Sequence, residues 1–280
     1  MTAQQVIERM QKNLGVPWKQ SSTDTVLAGS ADTAVTGIVT TWTPSLDVLR
    51  RAVAAKKNLI IARESPYWLH ETPNAEFSGA GAPFTRAQMA EDPTFKFKRD
   101  YIAQNNLVIL RFFDNWNARQ NDGQLRALTA ALGWEKMRAG ATPYFNLPST
   151  SLLELTKSVQ KRLNLHALRV LGDPQAQVRK IALSHGFLLV PVLEELLKEP
   201  GVDVVVTGEP VEWEAHPYFD DWITARKGKG MIMLGSQASE EPGSGEVATW
   251  LKSFITEVPV EWIAQGEPFW SANSNHKGGA

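Results

Sequence analysis

The chain has no cysteine, which excludes disulfide staples, thiolate nucleophiles and sulfur-built zinc sites and leaves His, Asp and Glu as the available metal donors. It also lacks an excess of charge. Its 29 basic and 30 acidic side chains leave a formal charge of -1, so no strong field draws nucleic acid or anionic lipid to it. No apolar run approaches the roughly 20 residues that a membrane-crossing helix needs. There is no G-x-x-x-x-G-K phosphate loop and no G-x-S-x-G elbow, and GAGAP at 79–83 lacks the preceding strand of a dinucleotide fingerprint. These absences predict a cytoplasmic protein with neither nucleic acid nor membrane as partner.

What is present is an ordinary globular composition, 280 residues with 43% hydrophobic and 21% charged, enough for two modest cores in one chain. The start, MTAQQVIERMQKNLG, places Thr2 and Gln5 at capping-box spacing and reads as an amphipathic helix, not a signal peptide. Thr33 to Trp42 is rich in β-branched residues and reads as a strand. Thr43 and Pro44 read as the start of a helix, and NLIIARE (58–64) reads as the parallel strand that follows. An irregular segment (65–83), a helix (85–104), a strand (107–113) and a helix closed by Gly133 complete the half. In the second half, Ser151 and Glu154 open a helix striped by Leu152, Leu155, Val159 and Leu163. Strands are expected at 167–171, 178–184, 202–209, 231–236 and 260–264, with helices at 191–199, 212–226 and 245–257. The expected fold is α/β, two similar lobes, each a mixed sheet flanked by helices, with a cleft between them. Residues 1–135 would form the first lobe, 136–150 a linker, and 151–280 a second lobe packed against the first.

Both halves deliver polar residues where an apolar strand runs out: Arg63 and Glu64, Phe113 and Asp114, Glu209, and Ser236. In open α/β sheets the space beyond the carboxyl ends of the strands is the usual ligand position. With these pieces in order, from DTVLAGSADTAVTGIVTTWTPSLDVLRRAVAAKKNLIIARESPYW through VILRFFDNWN and VDVVVTGEP to MIMLGSQASEEPG, the chain resembles the NGG-interacting-factor-three family. That family is also described as dinuclear metal-centre proteins and likened to a second type of GTP cyclohydrolase I. The resemblance implies two α/β lobes, often assembled as a hexameric toroid, with two divalent metals in the cleft.

The ligand positions that the resemblance implies are largely altered here. Arg63 and Glu64 stand where many members have a His-His or His-Glu pair. Phe113 stands for a histidine, Asn117 for an aspartate and Ser236 for a histidine, while Glu64 and Glu240 remain as carboxylates. A guanidinium offers five donors and no lone pair and never deprotonates in a protein, so it repels a dication. One reading is therefore a non-catalytic or weakly active member, without a cofactor, in which Arg63 takes the electrostatic place of the metal beside Glu64, Glu240 and Asp114 and the cleft binds a small, nucleotide-like molecule. A second is a metal-dependent hydrolase whose carboxylates hold one divalent cation, Mg or Mn before Zn, with help from a nearby histidine. A third is an oligomeric scaffold.

Plainer roles stand beside these. Without the resemblance, Arg63 and Glu64 read as a solvated ion pair, Phe113 as a core aromatic, Asn117 as a turn residue, and Ser236 and Ser239 as loop hydroxyls satisfying backbone groups. His185, at a strand end, reads either as a polar contact in the cleft or as a satisfied half-buried side chain. Glu212, Glu214 and His216 read as a surface ion-pair group, and His70, His166 and His276 lack a partner at metal-ligand spacing.

Overall fold

The computed structural model describes residues 1–71, 76–78, 84–119, 122–140, 143–226 and 228–271. The GAGAP stretch and His276 lie outside them. In chain order the first elements are α1 (Ala3–Asn13), β1 (Val26–Ala28), β2 (Ile38–Thr41), α2 (Leu46–Ala54) and β3 (Leu59–Ala62). The short strands β4 (His70–Glu71), β5 (Glu76–Ser78) and β6 (Phe84–Thr85) follow, then α3 (Arg86–Glu91), α4 (Pro93–Gln104), β7 (Val108–Arg111), α5 (Asp114–Asn117) and α6 (Gly123–Leu132). A 3-10 turn at Glu135–Met137 precedes β8 (Tyr144–Ser151), α7 (Leu152–Leu163), β9 (Arg169–Gly172), β10 (Gln177–Leu183), β11 (Phe187–Leu188) and α8 (Val190–Leu197). The chain ends with β12 (Val204–Thr207), β13 (Glu209–Pro210), α9 (Glu212–Arg226), β14 (Gly230–Met233), α10 (Ser236–Lys252) and β15 (Val260–Trp262).

These elements form two compact units. The first holds residues 1–123 and 244–265, the second 124–243 and the described residues from Gly266 on. The sheet of the first unit has the order β1-β7-β3-β2-β15. Its last four strands are parallel, and β1 closes the edge antiparallel to β7. Strand alternation sends Ile38, Leu59, Ile61, Val108 and Leu110 to one face, under Val6 and Met10 of α1 and Val247 and Leu251 of α10. Val39, Ile60 and Ile109 go to the other face, under Val48, Leu49 and Ala52 of α2 and Ile102 of α4. A sheet covered on both sides explains why β2, β3 and β7 are buried at every position.

The second unit repeats the plan with the order β8-β10-β12-β14-β9, in which β10, β12 and β14 are parallel and the edges β8 and β9 antiparallel. Leu125 and Leu128 of α6 and Leu152, Leu155 and Val159 of α7 cover one face. Leu193 and Leu197 of α8 and Ala215, Phe219 and Trp222 of α9 cover the other.

Local chemistry explains most element ends. Thr2 and Gln5 form the expected capping box on α1. Ser151 caps α7, which closes on Asn164 in the left-handed conformation at φ 53. Some ends differ from the sequence reading. Ser45, not Thr43, caps α2, its hydroxyl accepting from Val48 N. The later half of the 136–150 linker is the strand β8, because alternating burial of Phe145 and Leu147 suits an edge strand. The segment 124–135 belongs with the second unit. Residues 244–265, expected with 151–280, belong with the first. Helix α10 begins at Ser236, about nine residues before the expected start near 245, so SQASEEPG is helical and Pro242 lies inside it. Strand β15 then pairs parallel to β2, a long-range contact that no local pattern announces.

Candidate functional site

At the carboxyl edge of the first sheet, β3 ends at Ala62 and the chain leaves extended geometry, so consecutive side chains at 63 and 64 no longer diverge as they would on a strand. Their amides remain tied to the neighbouring chain, Arg63 N to Thr41 O at 3.3 Å and Glu64 N to Trp42 O at 2.9 Å. Arg63 Nε lies 3.7 Å from Glu64 Oε1, with the arginine side chain only 11% exposed. Its guanidinium carbon stands 3.6 Å from the centre of the Phe113 ring, so Phe113 is a platform for a cation and not only a core aromatic. The guanidinium carbon of Arg111 is 5.6 Å from the same ring. Arg111, the last residue of β7, is 8% exposed and donates Nε to Arg63 O at 3.2 Å. It is a site residue that the sequence reading passed over. The signal was available as a charge inside the apolar run VILRFF.

The next turn is fixed by two aspartates acting across the chain. Asp24 accepts from the amides of Phe113, Asp114 and Asn115 at 2.7, 3.0 and 2.8 Å, capping α5 from a remote segment. In return, Asp114 Oδ2 accepts from Thr23 N at 2.7 Å and Thr23 Oγ1 at 2.8 Å. Partial burial pushes the Asp114 carboxyl up, but the two Thr23 hydrogen bonds, with Arg111 and Lys19 nearby, leave it below the ordinary carboxylate range. The carboxylate expected beside Arg63 is thus committed to Thr23. Asn117 is exposed, its amide bonded to Phe113 O at 2.9 Å, and with Lys19, Ser21, Ser22 and Asp114 it borders a shallow depression of about 400 Å³.

At the carboxyl edge of the second sheet, three turns converge: Ser184-His185-Gly186 after β10, Gly208-Glu209 after β12, and Gly235-Ser236 opening α10. His185 Nδ1 lies 3.1 Å from Glu240 Oε1, and the glutamate side chain is 3% exposed. Ser239 Oγ accepts from Gly186 N at 3.0 Å and donates to Ser236 O at 2.9 Å, while Ser184 Oγ and Thr207 Oγ1 are 3.0 Å apart. Small residues are required here. Gly186 sits at φ +66, where a Cβ would come within 2.4 Å of Glu240 Oε1, and a Cβ on Gly208 would stand 2.2 Å from Gly186 O. His185 and Glu240 are brought together. Ser236 only frames the helix start, and Glu209 is an exposed strand residue whose amide donates to Gly186 O at 2.8 Å.

The two divalent ions that the resemblance implies can be weighed against this donor set. Among the described residues no three His, Asp or Glu side chains gather as a metal site requires. Glu64 lies against a guanidinium, Glu240 against His185, and Asp114 against Thr23. The residues present do not fit a dinuclear centre. Glu212, as expected of a surface group, pairs with Arg169 at 2.5 Å. No helix among the described residues is long and apolar enough to cross a membrane.

Comparison with known proteins places these edges in a family. No functionally curated protein matches the chain. Solved structures similar to it include the Staphylococcus aureus hypothetical protein SA1388, with a TM-score of 0.67 at 16% identity over 97% of this chain and 99% of that one. A Bacillus cereus protein related to NIF3 has a TM-score of 0.70 at 13% identity, covering 96% and 98%. The protein ybgI, of unknown function, has a TM-score of 0.66 at 20% identity, covering 96% and 100%. At these identities the likeness establishes the two-unit α/β fold. The sequence profile of the Duf34/NIF3 (NGG1p interacting factor 3) family matches residues 88–267, more than half of the chain, and the protein belongs to that family.

Proposed function

We propose that this protein is a member of its family that binds a small, nucleotide-like molecule without a metal centre. The observation that carries the reading is the guanidinium of Arg63, seated 3.6 Å from the Phe113 ring and 3.7 Å from Glu64 at the edge where the resemblance puts metal ligands. A permanent cation held there supplies positive charge without coordination and disfavours entry of a dication. Glu64 supplies the polar contact of the reading on the first unit. Elemental analysis of protein purified without added metal, joined to a thermal-shift screen of metals and nucleotides, tests it. A nucleotide shift that persists in chelator is the expected result. Stoichiometric metal, or a shift that chelator abolishes, overturns it.

One observation favours the alternative of a hydrolase using a single divalent cation, magnesium, manganese or zinc: the contact of His185 with Glu240 puts an imidazole beside a buried carboxylate. A metal-induced shift in the same screen supports that reading. Self-association into a homo-oligomer, up to a hexamer, also belongs to the proposal. The exposed Phe187, Leu189, Val192 and Trp213 on the second unit form apolar surface of the kind that association buries. Light scattering after gel filtration is expected to return a multiple of the 31.0 kDa chain mass. A monomer at all concentrations removes this part.

A further inference from the structure

We infer that Arg111 is the anion-binding residue of the first unit, taking a phosphate group of the bound small molecule in a fork-like, two-point contact. This rests on the small-molecule reading above and names the chemical group that would be held. Arg111 is 8% exposed, so its charge has been removed from most of its water. Of its five N–H groups, the one hydrogen bond it makes among the described residues is Nε to Arg63 O. It forms no ion pair there, and Asp114, close enough to feel its field, is committed to Thr23. The terminal nitrogens make no hydrogen bond among the described residues. A mostly buried guanidinium with unused donors is unusual, because such groups are normally paired.

The surroundings choose the ligand. The Nε bond fixes the plane of the guanidinium, which leaves the two terminal amino groups side by side, the geometry that phosphate and carboxylate oxygens match. The second cation on the same ring, Arg63 with its guanidinium carbon 3.6 Å from the centroid of Phe113, is partly offset by Glu64 at 3.7 Å, and with Arg111 the edge keeps a positive potential that favours a dianion over a monoanion. The hydrogen bond from the Arg111 side chain to the Arg63 carbonyl makes the arrangement a built one, independent of flexible surface lysines.

Isothermal titration of the full chain in chelator, with inorganic phosphate, pyrophosphate and acetate as probes, tests the assignment. Phosphate and pyrophosphate are expected to bind and acetate to bind far more weakly. Arg111→Gln is expected to lose roughly tenfold to a hundredfold in affinity, the worth of hydrogen bonds to a charged group. Arg111→Lys keeps the charge without the fork and is expected to fall between the two, which leaves the idea testable if the glutamine variant does not fold. Phosphate affinity unchanged in either variant, equal binding of acetate, or no phosphate binding to the unaltered protein overturns the inference. The two ideas fail separately. Nucleotide binding that survives in Arg111→Gln sinks this assignment and leaves the small-molecule reading standing. Nucleotide binding that needs metal, with phosphate still lost in Arg111→Gln, does the reverse.

Discussion

A lysine and an aspartate contribute to the pH dependence of stability in the first unit with opposite signs. Lys98 lies on the inward face of α4 with Phe95 and Ile102, is 3% exposed, and has the Trp68 ring 5.6 Å away as its cation contact. Burial lowers its pKa from 10.5 to about 8. The unfolded chain therefore holds this proton more tightly than the folded one, and the penalty is fully present below pH 8 and fades as pH rises toward 10.5. The shift corresponds to roughly 3 kcal/mol. Lys98→Met is expected to raise the melting temperature at pH 7 and to flatten the gain in stability that the unaltered protein shows between pH 8 and 10. Thermal unfolding across that range decides it; a variant less stable at pH 7 counts against the assignment. Asp114 works in the opposite sense. Its pKa is depressed, so its contribution is present above the ordinary carboxylate value of 3.8 and is lost as pH falls through the lower folded value. Asp114→Asn is expected to weaken the protein at neutral pH and to make its acid unfolding less steep.

At the scale of elements, the two sheet edges are held by different devices. In the first unit, the four-residue helix α5 depends on one remote carboxylate, Asp24, which receives the amides of Phe113, Asp114 and Asn115. Asp24→Ala removes the acceptor of three backbone donors and of Asn115 Nδ2 and is expected to cost about 2–3 kcal/mol in urea unfolding, more than an ordinary cap because the bonds are charge-assisted. In the second unit the turns close on glycine. Gly208→Ala is expected to be more damaging than Gly186→Ala. The added carbon on Gly208 meets backbone at 2.2 Å, which cannot yield, whereas on Gly186 it meets the end of the Glu240 side chain and adds the strain of a positive φ. Comparing the two melting temperatures tests this ordering, and equal losses would contradict it. Much of this scale was legible in the sequence. The apolar runs gave β2, β3, β7, β10, β12 and β14, and the caps at Thr2 and Ser151 gave two helix starts, because these depend on residues within one turn. The start of α10 was not legible. Pro242, Gly243 and Gly245 suggest a loop, yet Gly243 admits Gln124 and Gly245 admits the Trp262 ring at distances a side chain would block. The pairing of His185 with Glu240, 55 residues apart, was likewise hidden. Spacing along the chain says nothing about which turns meet at a sheet edge.

For the whole molecule, the least legible feature is that the chain returns to its first sheet at the end. Residues 244–265 belong with 1–123, and β15 extends the first sheet beside β2 through pairs such as Val260 with Ile38. Locally, VPVEWIA reads only as a short strand, since nothing near it names its partner. The packing shows why the return matters. Ile263 is 6% exposed in the cluster of Val39, Leu49 and Ile60, its amide donates to Thr40 O at 3.0 Å, and Thr40 Oγ1 donates to Ser244 O at 2.7 Å. The first unit therefore depends on residues made last, and its sheet cannot be completed until translation has passed residue 262. Ile263→Ala is expected to cost about 2–4 kcal/mol, as buried isoleucine truncations do. Because the loss falls on one sheet, hydrogen exchange followed by mass spectrometry is expected to show faster exchange in β2 and β3 while β10 and β12 keep their protection. Uniform acceleration through both sheets would show instead that the two units unfold as one, and that the late strand stabilises the entire chain and not its first unit alone.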